Sequence, residues 1–367
     1  MVIGCPKEIK AEEYRVGITP EICSYLTERK HEVLIEKGAE EGAGFPDIEY
    51  IRAGASIVDS PGELFSRVYL IVKVKEPQKE EISLISKGQI LFTFFHFSAN
   101  PEMTEMLVNK KVDCIAYELV EECNHRPILK PMSEIAGKLS IQQGMKYLEK
   151  EYGGKGVLIP PVEGTRGGRV VIIGGGTVGE SAAIVACGIG AGVTIIEKNK
   201  ERIKHLKSIF PDARVLESTH EVIMDAITKA DIVVGAVLIP GHRAPVLVSK
   251  DSLSHMEPGT VIVDVSIDEG GIFETSKPTT HKKPVFIESG IVHYCVPNIP
   301  GVVPKTSTLA LTYKTAPYIY LLAEKGLDAC RENSALLKGL AVSNGKIVNK
   351  DIALEFENRQ ENLIGEE

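Results

Sequence analysis

The residues best placed to do chemistry in this sequence are three glycines, Gly174, Gly176 and Gly179, which stand at G-x-G-x-x-G spacing. An apolar, β-branched run at 170–173 precedes them and predicts a buried strand, and a helical pattern begins at Thr177. In such a turn the first glycine permits the tight bend, the second lets a pyrophosphate approach the backbone, and the third lets the helix pack on the strand. The free N–H groups and positive dipole end of the helix suit phosphates. The pattern predicts a dinucleotide site.

A second strand pattern at 193–196 ends at Glu197, 18 residues after Gly179. A carboxylate at this point can accept hydrogen bonds from the adenosine ribose hydroxyls, and it repels a 2′-phosphate, which favours NAD over NADP. Lys198 and Arg202 lie close by in the sequence, and their positive charges make the predicted preference for NAD over NADP less strict. The alternative is a glycine-rich turn before a packed helix, with Glu197 as a solvated strand end.

The elements that must position these residues alternate between strand and helix, which predicts an α/β fold with mostly parallel sheets. The predicted strands are 2–5, 31–36, 69–75, 90–96, 114–118, 170–173, 193–196, 214–216, 231–238, 260–268 and 293–296. The predicted helices are 21–30, 47–53, 80–86, 101–109, 134–151, 177–190, 221–229, 249–256 and 305–322. Ser133 is interpreted as the N-cap of the helix at 134–151.

Three polar residues fall at or beyond the carboxyl ends of predicted strands, where open α/β sheets bind ligands. Arg15 lies in the loop after the first strand, Lys75 closes 69–75 and His96 closes 90–96. Together an Arg, a Lys and a His would suit a small carboxylate, through a bidentate grip, a point charge and a proton carrier. The alternatives remain open: Lys73 and Lys75 as a solvated strand face, His96 as a structural histidine and Arg15 as a surface residue.

Asp268 also falls at a predicted carboxyl end, at the close of 260–268, and its strand carries a second acid, Asp264. Both acids could instead be simple strand terminators. The order of elements predicts a Rossmann-type domain at 130–303, including a linking helix, inserted into a second parallel-sheet domain made from 1–129 and 304–367. A cleft between the two carboxyl edges would bring Arg15, Lys75 and His96 opposite Asp268 and the nicotinamide.

Composition excludes several classes of protein. The formal charge of −8 over 367 residues argues against a nucleic-acid footprint, and 43% hydrophobic content is ordinary for a globular protein. Seven scattered cysteines without a C-x-x-C pair predict neither a disulfide framework nor a zinc ribbon, and no metal-ligand spacing is evident. Neither a signal peptide nor an apolar run long enough to span a membrane is found, so a cytoplasmic protein with reduced thiols is expected.

Nearly the whole chain resembles the L-alanine dehydrogenase family, which also includes the NAD-binding subunit of proton-translocating transhydrogenase. The stretches that carry the resemblance are PKEIKAEEYRVGITP (6–20), KVKEP (73–77), GQILFTFFHF (88–97), PMSEIAG (131–137), GGGTVG (174–179), GAVLIPG (235–241), VDVSIDEGG (263–271), YCVPNIPGVVPKTST (294–308) and KGL (338–340).

The resemblance implies that Arg15 and Lys75 bind the substrate carboxylate and keto oxygen, and that His96 and Asp268 are the acid/base pair. It implies a homo-hexamer, and it implies NAD contacts from a larger set. That set is Ser133, Thr177, Val178, Glu197, Arg202, Ser218, Val237, Leu238, Val265, Ser266, Ile267, Asp268, Lys277, Val296, Pro297, Asn298 and Ile299. The family commonly has Asp at position 197, Lys at 202 and Arg at 277.

The activity implied by the resemblance is reversible oxidative deamination, in which L-alanine, water and NAD⁺ give pyruvate, ammonium and NADH. Hydride leaves the alanine Cα, water adds to the resulting imine with His96 moving a proton, and ammonia departs. The alternatives are a transhydrogenase subunit that presents NAD(H) to a partner, a dehydrogenase of another small amino or keto acid, and a catalytically silent NAD sensor. No metal, nucleic acid or membrane partner is expected.

Overall fold

The computed structural model of the chain describes residues 1–39, 41–238, 243–354 and 356. Positions 239–241 of the GAVLIPG motif therefore lie outside the described residues. The strands of the described part are β1 (Val2–Cys5), β2 (Glu32–Glu36), β3 (Ser56–Val58), β4 (Leu70–Val72), β5 (Ile90–Thr93), β6 (Asp113–Ala116), β7 (Arg169–Ile173), β8 (Gly192–Glu197), β9 (Arg214–Glu217), β10 (Ile232–Gly235), β11 (Val261–Asp264), β12 (Val285–Glu288), β13 (Ile291–Tyr294), β14 (Leu340–Ser343) and β15 (Lys346–Ile347).

The α-helices of the same residues alternate with most of these strands. They are α1 (Pro20–Glu28), α2 (Asp47–Arg52), α3 (Pro61–Arg67), α4 (Lys79–Leu84), α5 (Pro101–Lys110), α6 (Leu129–Tyr147), α7 (Thr177–Gly188), α8 (Lys200–Ile209), α9 (His220–Thr228), α10 (Pro304–Lys325), α11 (Ala329–Glu332) and α12 (Ser334–Gly339). Short 3₁₀ turns follow several strands, among them Phe97–Ala99, Tyr117–Leu119 and Val265–Glu269.

The chain divides into two compact units. The first unit comprises Met1–Met132 together with the described residues after Val302, and the second comprises Ser133–Val302. Each unit has its own sheet and its own apolar core. The prediction of an α/β fold with mostly parallel sheets is thereby confirmed.

The sheet of the first unit has the order β15-β14-β6-β5-β4-β1-β2-β3. The six strands from β6 to β3 pair in parallel, whereas β14 runs antiparallel to β6 and β15 antiparallel to β14. Every residue of β4, β5 and β6 is buried. Apart from Thr93 and Asp113 their residues are apolar, as a parallel sheet covered on both faces requires.

The sheet of the second unit has the order β12-β13-β11-β10-β7-β8-β9, with only β12 antiparallel to its neighbour. Numbered along the chain, its six parallel strands follow the Rossmann order 3-2-1-4-5-6. The six parallel strands of the first unit follow the same order. In each sheet the order reverses between the first and fourth strands, β1 and β4 in one and β7 and β10 in the other. This switch point is where such sheets bind ligands.

Several predicted strands end sooner than expected, and this changes the setting of the site residues. The strand predicted at 69–75 ends at Val72, and that predicted at 90–96 ends at Thr93. Lys75 and His96 therefore lie in loops beyond the carboxyl ends rather than on the last residue of a strand. The strand predicted at 260–268 ends at Asp264, and Asp268 lies in the 3₁₀ turn Val265–Glu269.

The interpretation of Ser133 as a helix N-cap is wrong. Helix α6 begins at Leu129, so Ser133 lies inside it. The strands β3, β12, β14 and β15 and the helices α3, α8, α11 and α12 were not predicted. Helix α3 carried a readable signal, because Pro61 opens it and the Ser60 hydroxyl accepts a hydrogen bond from the Glu63 backbone N–H.

Candidate functional site

The first unit gathers Arg15, Lys75 and His96 at one edge of its sheet, beyond β1, β4 and β5. Hydrogen bonds between the loops tie the latter two together: Phe94 N–H donates to the Val74 carbonyl at 3.2 Å, and the Thr93 hydroxyl donates to the Lys75 carbonyl at 2.9 Å. The charges of Lys75 and Arg15 both act on the His96 imidazole. The edge predicted from the sequence is thus occupied by all three.

Arg15 is buried, with 2% of its surface exposed, and this contradicts its interpretation as a surface residue. Glu13 grips the guanidinium with both carboxylate oxygens, at 2.7 Å from Nε and 2.5 Å from Nη2. The Nη1 group lies 3.1 Å from the Met132 sulfur. Because a buried charge must be paired, Glu13 is what allows an arginine to be fixed at this edge.

Lys73 is also buried, so the interpretation of Lys73 and Lys75 as a solvated strand face is wrong. Its ammonium lies 3.1 Å from a Glu8 oxygen and 2.6 Å from a Glu81 oxygen. Burial alone would lower the pKa of Lys73, but the two carboxylates together raise it above its usual value. The other Glu8 oxygen accepts hydrogen bonds from the backbone N–H groups of Val74 and Lys75, at 2.7 and 3.3 Å. This ion cluster fixes the backbone that presents Lys75.

His96 is half-buried and has a left-handed backbone, with φ 51° and ψ 51°. Its ring lies parallel to that of Phe94, with the centroids 6.0 Å apart. Burial first, and the positive charge of Lys75 second, lower the pKa of His96 to about 4. The described residues give neither ring nitrogen a hydrogen-bond partner. A neutral imidazole of this kind can accept a proton at neutral pH.

In the second unit the three glycines fit the roles that their spacing predicts. Gly174 has φ +101°, and a Cβ there would lie 2.4 Å from the Ala236 carbonyl oxygen. A Cβ on Gly179 would lie 1.9 Å from the Gly174 carbonyl oxygen, whereas one on Gly176 would meet nothing within 4 Å. The N-cap residue of α7 is Gly176, which has no side chain that could cap the helix. The turn therefore leaves open space and free N–H donors where a pyrophosphate would bind, so these residues fit NAD.

Glu197 closes β8 at the adjoining strand end, and its carboxylate is engaged with backbone. It accepts hydrogen bonds from Gly175 N–H at 2.7 Å and from the N–H groups of Lys198 and Asn199 at 2.8 Å each. Arg202 donates from Nε to the Gly175 carbonyl at 2.6 Å and pairs with Glu180. Both side chains thus fix the glycine turn. A role of Glu197 at the ribose stays a prediction.

The two aspartates of the VDVSIDEGG stretch have different settings. Asp264 is buried, and it accepts hydrogen bonds from the Ser266 N–H at 3.1 Å, the Ile272 N–H at 2.9 Å and the Ser276 hydroxyl at 2.6 Å. Burial raises the pKa of Asp264. Asp268 is exposed on the turn that Asp264 stabilises. The structure therefore distinguishes a buried acid that stabilises this turn from an exposed acid that lies on it.

The other residues predicted to contact NAD lie in or beside the second unit's loops. The Ser266 hydroxyl accepts a hydrogen bond from the Val237 N–H at 2.9 Å, which links the loops after β10 and β11. The Lys277 ammonium lies 4.2 Å from the centroid of the Phe286 ring. Those with at least part of their surface exposed are Ser133, Thr177, Val178, Ser218, Val237, Leu238, Val265, Lys277, Pro297 and Asn298, whereas Ser266, Ile267, Val296 and Ile299 are buried.

Sequence reasoning did not single out Glu8, Glu13 or Glu118 as parts of this site. A usable signal existed, because all three lie beyond the carboxyl ends of β1 or β6, the same edge that singled out Arg15. The sequence does not indicate that the partners of these three acids are mainly backbone N–H groups and buried cations. Among the described residues, no cluster of His, Cys, Asp and Glu could hold a metal ion. No helix described in this structure has the length and apolar character that crossing a membrane demands.

Comparison with known proteins gives matches over almost the full chain. Residues 4–136 match the family described as "Alanine dehydrogenase/PNT, N-terminal domain", and residues 140–350 match "Alanine dehydrogenase/PNT, C-terminal domain". An alanine dehydrogenase of Methanococcus maripaludis is 49% identical over 357 residues, covering 96% of each chain.

Two solved structures extend these matches. One, described as L-alanine dehydrogenase, has 46% sequence identity and a TM-score of 0.94, covering 98% of this chain and 99% of that chain. A transhydrogenase from Sinorhizobium meliloti has 22% identity and a TM-score of 0.84, covering 95% of this chain and 100% of that chain. The second likeness concerns the fold alone.

Proposed function

Because this chain belongs to the alanine dehydrogenase/PNT family, we propose that it catalyses the NAD-dependent reversible oxidative deamination of L-alanine to pyruvate and ammonium. One structural observation supports this activity above the others. Arg15, Lys75 and His96 lie together at the carboxyl edge of the first unit, each held by buried partners or by backbone. A chain that only presented NAD(H) to a partner would not need these residues.

Within the first unit, Arg15 and Lys75 bind the substrate carboxylate and keto oxygen. Both are held by acids, Arg15 by Glu13 and the Lys75 backbone by Glu8, so little reorganisation is needed when substrate binds. His96 accepts a proton from the water that attacks the imine carbon. Its lowered pKa keeps the imidazole neutral at neutral pH, the form that can accept this proton.

In the second unit, the turn at 174–179 and the start of α7 hold the pyrophosphate of NAD, with Glu197 at the adenosine ribose. NAD supplies the hydride acceptor of the reaction when it is bound. Asp268 serves as the second acid/base residue, consistent with its exposure on a turn that Asp264 stabilises. The first unit is therefore the substrate domain and the second the NAD-binding domain.

The direct test follows NADH absorbance with purified protein, pyruvate, ammonium and NADH, each omitted in turn. We expect NADH consumption only when both pyruvate and ammonium are present. His96→Ala should lose activity by about 10²–10⁴-fold, the usual contribution of a general acid/base, while still binding NADH. His125→Ala is the matched control, because His125 is an exposed histidine of the same unit.

The other outcomes separate the alternatives. Consumption with pyruvate alone would indicate a hydroxy-acid dehydrogenase, and consumption with glyoxylate in preference to pyruvate would indicate another small amino acid as substrate. NADH binding without any turnover would replace the proposal with a transhydrogenase-like subunit or a sensor. Normal turnover by His96→Ala would refute the role of that residue.

We further propose that the protein is a cytoplasmic homo-hexamer, on the basis of its family. Its seven cysteines are all free thiols in the structure, and six of them are at least partly buried, which suits a reducing compartment. Sedimentation equilibrium of the purified protein tests the assembly, and a monomeric or dimeric mass at working concentration would contradict it.

A further inference from the structure

The backbone of His96 is in a conformation that an ordinary residue rarely adopts. Its φ of 51° and ψ of 51° lie in the left-handed region. A non-glycine residue in this region is strained and persists only when its surroundings fix it. Since β5 ends at Thr93, neighbouring strands do not hold His96 in the sheet ladder. Something else must keep this backbone, and hence the imidazole, in place.

The Glu118 side chain supplies that constraint. The His96 backbone N–H donates to Glu118 Oε1 at 2.7 Å, and the Phe95 N–H donates to the same carboxylate at 3.2 and 3.3 Å. On the carbonyl side, the Asn100 amide donates to the His96 oxygen at 3.1 Å. The backbone on both sides of His96 is thus held by side chains from outside its own strand.

The position of Glu118 follows from the sheet. Glu118 lies in the 3₁₀ turn Tyr117–Leu119 that directly follows β6, and β6 pairs in parallel with β5. The residues after two neighbouring parallel strands meet at the same edge, so Glu118 can reach the loop after β5. Burial raises the pKa of Glu118, while the backbone donors of His96 and Phe95 lower it. Nothing in the proposed reaction requires this carboxylate to contact substrate.

We propose that Glu118 is a positioning residue of the active site, which holds the left-handed backbone of His96 so that its imidazole meets the substrate. The inference rests on the proposed function, because it concerns the rate of that reaction. Glu118 acts on the backbone of Phe95 and His96 through hydrogen bonds and on Lys75 only through its charge. Its loss should therefore slow turnover while leaving the binding of alanine, by Arg15 and Lys75, largely intact.

Two substitutions separate the hydrogen bonds from the bulk of the side chain. Glu118→Gln keeps one acceptor oxygen, whereas Glu118→Met keeps the length of the side chain and removes both strong acceptors. We expect kcat to fall less than about fivefold in Glu118→Gln and roughly 10–100-fold in Glu118→Met, as a displacement on the order of 1 Å would produce. The KM for alanine and the affinity for NADH should change by less than about twofold.

The matched control is Glu121→Met, because Glu121 lies three residues further along and pairs at the surface with Lys338. It should leave kcat within about twofold of the wild-type value. The decisive comparison adds Glu118→Met to His96→Ala. If Glu118 acts through His96, the double variant should be no slower than His96→Ala, since the interaction has already been lost.

The outcomes that overturn the proposal are distinct from failure of the proposed function. Folded Glu118→Met with wild-type kcat would show that the carboxylate does not position His96. A double variant that is slower than His96→Ala would indicate a general structural role for Glu118. So would a rise in the KM for alanine in Glu118→Met that is as large as its fall in kcat. The absence of any alanine reaction in the wild-type protein would refute the proposed function and with it the basis of this inference.

Discussion

At the scale of single residues, the candidate site is built from charges that are placed beside opposite charges or backbone donors. Arg15 lies against Glu13, and Lys73 lies between Glu8 and Glu81. His96 differs, because its neutral form is the one that the surroundings favour. Its proton equilibrium is therefore coupled to folding as well as to its proposed role in catalysis.

We predict that His96→Gln makes the protein more resistant to acid. The folded pKa of about 4 lies below the ordinary value of 6.5, so the unfolded chain binds a proton at His96 before the folded chain does. The free energy of unfolding of the wild type therefore decreases as the pH falls from about 6.5 towards 4. Protonation of His96 in the unfolded chain accounts for about 2 kcal/mol of this decrease at pH 5. The variant lacks this loss.

Thermal unfolding of the two proteins at pH 7.5 and pH 5 measures this effect. The difference in melting temperature, His96→Gln minus wild type, should be larger at pH 5 than at pH 7.5. The substitution changes packing equally at both pH values, so that effect cancels when the two differences in melting temperature are compared. An equal difference at both pH values would contradict the lowered pKa of His96.

The residues that sequence reasoning identified here were those whose chemical type is distinctive. Arg15, Lys75 and His96 were identified because a cation or imidazole beyond a strand end points to a ligand. Glu118 closed a predicted strand at the same edge and was passed over. No sequence pattern indicates that its partner is the backbone of a left-handed histidine, because that contact depends on how β5 and β6 pair.

At the scale of elements, two glycines of the unit formed by β7, the glycine turn and α7 are there for different reasons. Gly179 is needed by the fold, since a Cβ would overlap the Gly174 carbonyl at 1.9 Å. Gly176 is not needed by the fold, because a Cβ there would meet nothing within 4 Å and its φ is −68°. Under the proposed function, the open space beside Gly176 takes the pyrophosphate.

We predict that Gly176→Ala weakens NADH binding by at least about tenfold while leaving the melting temperature of the ligand-free protein nearly unchanged. The added methyl group occupies space that the phosphates need, and about 1.4 kcal/mol of lost contact corresponds to tenfold in affinity. NADH fluorescence titration and ligand-free thermal unfolding provide the two readouts.

Gly188→Ala is the control for this experiment, because it adds the same methyl group to α7 where nothing lies within 4 Å of it. It should leave NADH binding unchanged. Wild-type affinity in Gly176→Ala would mean that the pyrophosphate does not approach this turn, and would contradict the predicted role of the glycine.

Most long elements could be predicted from sequence, and the failures have physical causes. The alternation of buried strands with helices located β7, β8 and α7 closely. Ser133 has the chemistry of an N-cap, but α6 begins four residues earlier because helices tolerate Pro131 in their first turn. The strand β3 has only three residues, which is too short for a periodic pattern, and β12 depends on its antiparallel partner β13.

At the scale of the whole molecule, the sheet of the first unit depends on residues far apart in the chain. β14 pairs with β6 and places Ala341 and Val342, both fully buried, in the same apolar core as Cys114 and Leu107. These C-terminal residues therefore support the sheet that carries Arg15, Lys75 and His96, although they lie beyond the inserted second unit.

We predict that Val342→Asp destabilises the first unit by several kcal/mol, because it buries a charge that has no partner in an apolar core. Activity at elevated temperature should be lost well before that of the wild type, as measured by residual turnover after heating. Lys346→Asp is the control, since Lys346 is an exposed residue of the neighbouring strand β15. Equal heat resistance of the two variants would show that β14 is dispensable to the unit.

The pairing of β14 with β6 also constrains how the protein can be made. When a ribosome has completed β6, the strand that will cover its edge is still about 220 residues away, which at about 5–20 residues per second corresponds to roughly 10–45 s of synthesis. During that interval the whole second unit emerges and can fold first, while the edge of β6 stays open to wrong partners. The first unit is thus begun first and finished last, and it is the unit that most needs protection in a newly made chain.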